Sequence, residues 1–114
     1  MSDLLKRQME FTHKVVQLLT KAHELGYEVT LGDAFRDPRV FGPMGTVLGY
    51  GRGKSAHKQR LALDLNLFKD GKFLSGTEAH EELGTWWEGQ GCSWGGRFSP
   101  PDGNHYSLEF GGVK

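Results

Sequence analysis

Apolar residues recur through the first part of the chain at helical spacing. Leu4, Leu5, Val15, Val16, Leu18, Leu19, Ala22 and Leu25 predict one amphipathic helix over residues 3–25. Ser2 or Asp3 can cap its start, and Gly26 can end it. "YEVTLGDAF" then reads as a strand. "RLALDLNLF" alternates with period two, so Leu61, Leu63, Leu65 and Leu67 share one face and Ala62, Asp64, Asn66 and Phe68 the other. "KDGK" is a hairpin turn and "KFLS" its return strand. "TEAHEELGTWWEGQG" predicts a second helix, capped by Thr77 and ending near Gly89. "CSWGGRFSPPDGN" reads as loop. "HYSLEF" reads as a last strand, with His105, Ser107 and Glu109 on one face and Tyr106, Leu108 and Phe110 on the other.

These elements predict an α+β fold: a small antiparallel sheet with helices packed on its leucine face and a site on the opposite one. At 114 residues the chain is expected to form a single domain over 1–114. Seventeen glycines imply tight turns, and the stretch from Asp37 to Lys54 reads as a long loop.

Charge and cysteine content remove several functions. The net charge is +0, and the short "RGK" at Arg52–Lys54 is no basic patch, so nucleic acid is not an expected partner. One cysteine, Cys92, excludes a disulfide within the chain and reads as a small buried hydrophobe. No apolar run approaches the roughly 20 residues that span a bilayer, so no membrane insertion is expected. "MSDLLKRQMEF" has no apolar signal core, which predicts a chain made in, and initially kept in, a cytoplasm. A monomer is expected.

The chemistry concentrates on the polar face. His57 and Asp64 are seven positions apart, roughly 23 Å on a straight strand, so the chain must turn between them to bring them together. With that turn, His105 from a distant strand could join them. Two imidazoles and one carboxylate with a fourth position open suit a catalytic zinc ion. Asp102, three residues before His105, could serve as general base and then general acid. His13, His23 and His80 sit among polar residues on helices and read as surface or capping positions.

"SAHKQRLALD" resembles the S-x-H-x(6)-D signature of the zinc peptidases that include D-alanyl-D-alanine carboxypeptidases and dipeptidases and the phage L-alanyl-D-glutamate endolysins. "DGNH" resembles their second signature, and the similarity runs from about Thr30 to Phe110. Hedgehog signalling domains share that fold. The resemblance implies zinc on His57, Asp64 and His105, with Asp102 as the catalytic acid/base. Arg36 in "DAFRDP" matches an arginine that contacts substrate or the developing oxyanion. Ser55 would bind substrate or orient its loop. Aspartate rather than glutamate at position 102 resembles the endolysin branch, while Arg60 stands where the family has glycine.

The resemblance thus implies a peptidoglycan peptidase acting on stem peptides, with L-Ala–D-Glu as the bond and a phage or prophage lysin as the type. Such a lysin waits in the host cytoplasm and acts on the wall after release. The alternatives are a D-alanyl-D-alanine carboxypeptidase or dipeptidase, and a non-catalytic phage structural or binding protein stabilised by zinc. Trp86, Trp87 and Trp94 read as core, with Trp94 also a candidate wall for a substrate groove. Glu109 is a strand residue that could support a ligand histidine.

Overall fold

Ser2 starts the first helix as expected: its hydroxyl accepts the Leu5 N–H at 3.1 Å. In the computed structural model, which describes residues 1–37, 39, 44 and 55–114, helix α1 spans Asp3–Glu24. Asp3 in the first turn and Lys21 and His23 in the last complement its dipole. At the other end Gly26 takes φ +91°. The Gly26 N–H then reaches the His23 carbonyl and the Tyr27 N–H the Ala22 carbonyl, both at 3.0 Å, which closes a Schellman motif. Phe11, Leu18 and Ala22 are its buried residues. Leu5 and Val16 stay exposed, because at about 100° per residue they point well away from the line of Phe11, Leu18 and Ala22.

The sheet is built around one strand. Strand β1 is Glu28–Leu31, β2 is Ala62–Lys69 and β3 is Lys72–Leu74. Helix α2 covers Glu81–Gly89, β4 Ser93–Trp94 and β5 His105–Ser107. β2 pairs antiparallel with β1, β3 and β5, and β4 pairs with β5. The β2–β3 hairpin turns through Asp70 at φ +52° and Gly71 at φ +75°, the backbone expected of a two-residue turn. Leu61, Leu63, Leu65 and Leu67 are all buried, while Asp64, Asn66 and Phe68 are only partly so. Trp87 of α2 joins both layers, meeting the Phe11 ring edge-on at 6.4 Å and the Tyr106 ring at 6.1 Å.

Three expectations need correction. "CSWGG" contains a strand: Ser93 and Trp94 pair with Ser107 and Tyr106. The strands expected in "YEVTLGDAF" and "HYSLEF" shrink to four and three residues. Thr77 does not cap a helix; residues Thr77–His80 form a 3-10 turn ahead of α2, and the Thr77 hydroxyl instead accepts the Gly103 N–H at 3.2 Å. The loop expected from Asp37 to Lys54, with its "RGK" segment, lies almost wholly outside the described residues.

Gly84 leaves room for Trp94. A Cβ there would run into the Trp94 indole, whose N–H donates to the Gly103 carbonyl at 2.7 Å. Gly84→Ala gains about 1 kcal/mol of helix propensity but overpacks the core by about 1–3 kcal/mol. We expect a net loss of stability, measured as a lower denaturant midpoint at unchanged slope.

Candidate metal and catalytic site

The turn required between His57 and Asp64 is a 3-10 turn at Ala56–Gln59. Ser55 caps it, its hydroxyl accepting the His57 N–H at 3.2 Å. Arg60 ends it at φ +61°, ψ +35°. Glycine adopts that left-handed backbone most readily; here arginine occupies it, and its guanidinium lies 4.2 Å from the centre of the Phe35 ring. The Gln8 amide holds the turn against α1 by donating to the Gln59 carbonyl at 2.9 Å.

Asp64 and His105 are direct partners in the β2–β5 register. Cross-strand partners project to the same side of a sheet, so the expected sharing of one face is observed. With His57 they form a group whose ligand atoms all lie within 4.8 Å of one another. His57 Nε2 is 3.0 Å from Asp64 Oδ1, and His105 Nδ1 is 3.2 Å from His57 Nε2. His57 and His105 are buried.

Tautomer chemistry shows that this donor set fits a cation. His57 Nδ1 lies 3.3 Å from the Ala34 carbonyl, which can only accept, so that nitrogen carries the proton. Its Nε2 lone pair then faces Asp64 Oδ1, a buried carboxylate oxygen that receives no hydrogen bond. A buried oxygen without a donor is costly, and a metal ion shared with the imidazoles would satisfy it. Backbone bonds fix the carboxylate's position: Gly32 N–H donates to the Asp64 carbonyl at 2.8 Å, and Asp64 N–H to the Asp33 carbonyl at 2.7 Å.

Arg36 and Ser55 sit beside this group. Arg36 donates to the Ser55 hydroxyl at 3.0 Å, and its guanidinium lies 3.8 Å from Asp64 Oδ2 and 3.6 Å from Asp33 Oδ2. Its backbone N–H also donates to the His57 carbonyl at 3.2 Å. Ser55 therefore orients the histidine turn and the arginine together.

Asp102 stands beside the group as well, with Oδ2 4.0 Å from His105 Nδ1. Its loop is tied down at several points. The Asp102 N–H donates to the Gly95 carbonyl at 2.8 Å, and the His105 N–H to the Asp102 carbonyl at 3.1 Å. Gly95 has no room for a side chain, since a Cβ would meet the Asp102 carbonyl and come within 2.7 Å of His105 Cβ.

Supporting roles for Gly95, Thr77 and Trp94 were not legible in sequence, because each acts through a contact across the fold. Trp94 is buried and braces Gly103; it lines a cavity with Ser93, Arg97 and Phe98, and is not among the described residues that line the groove beside Asp102. Glu109 does not support a ligand; its carboxylate accepts the Gly112 N–H.

His80 also departs from expectation. It is buried, and its Nδ1 is hydrogen-bonded to the Tyr106 hydroxyl at 2.7 Å. Burial pushes the imidazole down from 6.5 to about 4. The unfolded chain therefore binds more protons between those values, so stability is full above about pH 6.5 and falls as pH drops to about 4. The loss is about 3 kcal/mol. We expect His80→Gln to flatten this segment of the stability–pH curve relative to wild type, as measured by urea midpoints. Cys92 is buried as expected, and burial raises its thiol pKa.

A family model described as D-alanyl-D-alanine carboxypeptidase matches residues 49–108. That stretch holds Ser55, His57, Asp64, Asp102 and His105; Arg36 lies outside it. No curated protein matches the chain.

Proposed function

The chain belongs to the D-alanyl-D-alanine carboxypeptidase family of peptidases, and from that premise we propose that it is a zinc-dependent peptidoglycan hydrolase cutting the L-Ala–D-Glu bond of stem peptides, as a phage or prophage endolysin does. The observation that carries the hydrolytic reading is the convergence of His57, Asp64 and His105 beside Asp102, whose Oδ2 is 4.0 Å from His105 Nδ1. A structural zinc site closes its fourth position with another ligand. Here an acid/base candidate stands beside the three donors instead. Aspartate at position 102, rather than glutamate, supports the endopeptidase over the carboxypeptidase.

His57 would bind through Nε2, His105 through Nδ1 and Asp64 through Oδ1. A zinc ion held there would supply Lewis acidity and lower the pKa of a water towards about 7. Asp102 would serve as the general base that takes up a proton from the attacking water and as the general acid that returns it to the leaving amine. The Ala34 carbonyl keeps His57 in the required tautomer. Arg36 aligns Asp64 and places a fixed positive charge where the carbonyl oxygen becomes negative.

Digestion of purified peptidoglycan with the zinc-loaded protein tests this reading. Mass spectrometry should find D-glutamate or D-isoglutamine as the new amino terminus. Release of terminal D-alanine would assign the carboxypeptidase activity in its place. Intact peptidoglycan with stoichiometric zinc would leave a metal-stabilised binding protein.

A further inference from the structure

Strand β1 lies at an edge of the sheet. β2 pairs with one side of it, and no strand among the described residues pairs with the other. The Gly32 N–H donates to the Asp64 carbonyl, which carries the ladder one step past Leu31 and fixes its parity. Bonded residues alternate in an antiparallel ladder, so Glu28, Thr30 and Gly32 turn their backbone groups toward β2. Val29 and Leu31 turn theirs outward, and no described residue bonds to those outward groups.

Edges are commonly blunted by charge, proline or a covering element. This one is flanked by apolar surface. A groove of about 380 Å³ runs beside it, with Leu31 and Phe35 on one wall and Phe11, Val15 and Leu19 of α1 on the other. Leu31 is 64% exposed. Beyond the groove, α1 carries a row of exposed apolar side chains. Leu5, Met9 and Val16 fall within about 40° of one another around the helix, and Leu19 stands about 40° from Leu5, so the row adjoins the groove.

We propose that a second copy of this chain covers the edge, with the two β1 strands paired antiparallel about a two-fold axis at Thr30. The free backbone groups select that register, because outward residues must oppose outward residues. Centred on Val29, the pairing would need the Tyr27 N–H, which already donates to the Ala22 carbonyl at 3.0 Å. Centred on Leu31, it would need the Asp33 carbonyl, which already accepts the Asp64 N–H at 2.7 Å. Centred on Thr30, Val29 opposes Leu31 of the second copy, and Leu31 opposes its Val29. Each pair then exchanges two hydrogen bonds through groups left unused in the single chain. The same register sets Glu28 opposite Gly32, so like charges do not meet, and Thr30 opposite Thr30, a favourable cross-strand pair. An axis perpendicular to the sheet brings both α1 helices, with their exposed apolar rows, to one side of the shared sheet. Asp64 keeps the opposite face in each copy, so both metal-ligand groups open toward the same side. This dimer replaces the monomer expected from the sequence.

Sedimentation equilibrium of the 114-residue chain tests the association. The weight-average mass should rise with concentration from 12.7 kDa toward twice that value. Leu31→Lys puts a charge on the surface to be buried, at a side chain exposed in the single chain. It should weaken the dimer about tenfold or more while the thermal midpoint of the dilute protein stays that of wild type. Disulfide trapping reads the register. Cys92→Ser in every trapping variant removes the one native thiol. Thr30→Cys should then link two copies under mild oxidation, because directly opposed residues bring their Cβ atoms to about 4.5 Å. Glu28→Cys should not, since the same residue of the second copy is displaced along its strand by about 13 Å. A mass of 12.7 kDa at every concentration up to about 1 mM, a dimer that Leu31→Lys leaves intact, or equal linking at positions 28 and 30 overturns the proposal. The pairing uses no metal-ligand residue, so it stands or falls apart from the proposed hydrolysis.

Discussion

His57→Ala and His105→Ala are each expected to take zinc content from one equivalent per chain to near none. Three donors from two segments converge on one point, and no other group of three or more His, Cys, Asp or Glu side chains able to hold a metal occurs among the described residues. Losing one imidazole leaves a single nitrogen and a carboxylate, too few to hold zinc in a three-ligand catalytic site. Zinc should also raise the thermal midpoint of the wild type, because a ligand that binds only the folded chain stabilises it. Neither variant should show that rise. His57 is buried, so its removal also leaves a cavity; the midpoint of each metal-free variant separates that cost from the lost metal. Metal analysis after dialysis gives the stoichiometry, and full occupancy in both variants would sink the ligand assignment.

The part of this site that was legible in the sequence was written in periodicities. Alternation in "LALDLNL" placed the four leucines inside and Asp64 on the other face, and burial follows that pattern except at Ala62, which shares the Asp64 face and is nevertheless buried. The odd spacing of His57 and Asp64 demanded a turn, and the 3-10 turn at Ala56–Gln59 provides it. What could not be read depends on contacts between distant segments. β4 is only two residues long among glycines, too short for any alternation to show, and it exists because β5 offers it an edge. His80 follows a polar helical pattern locally, yet the fold buries it against Tyr106. Thr77 looks like a helix cap, but the Gly103 N–H takes its hydroxyl. Leu5 and Val16 have the right period and the wrong angle, which only the position of the sheet decides.

Asp102→Asn is expected to keep zinc and fold while losing about 10²- to 10⁴-fold in hydrolysis, the usual share of general acid–base catalysis. The substitution is isosteric, and backbone bonds and neighbouring side chains hold the loop. The backbone of residue 102 donates to the Gly95 carbonyl, while Gly103 is held by Thr77 on one side and Trp94 on the other. The side chain is not among the three converging donors, so the metal content should stay at one per chain. An amide cannot take a proton from water as a carboxylate does, nor return it to the leaving amine. Peptidoglycan turnover measured beside zinc content therefore separates three cases. A drop within that range at intact zinc marks Asp102 as the acid/base. Unchanged turnover makes it an ordinary loop residue. Absence of hydrolysis in wild type and variant alike, with zinc bound in both, describes a protein that uses the metal for stability alone.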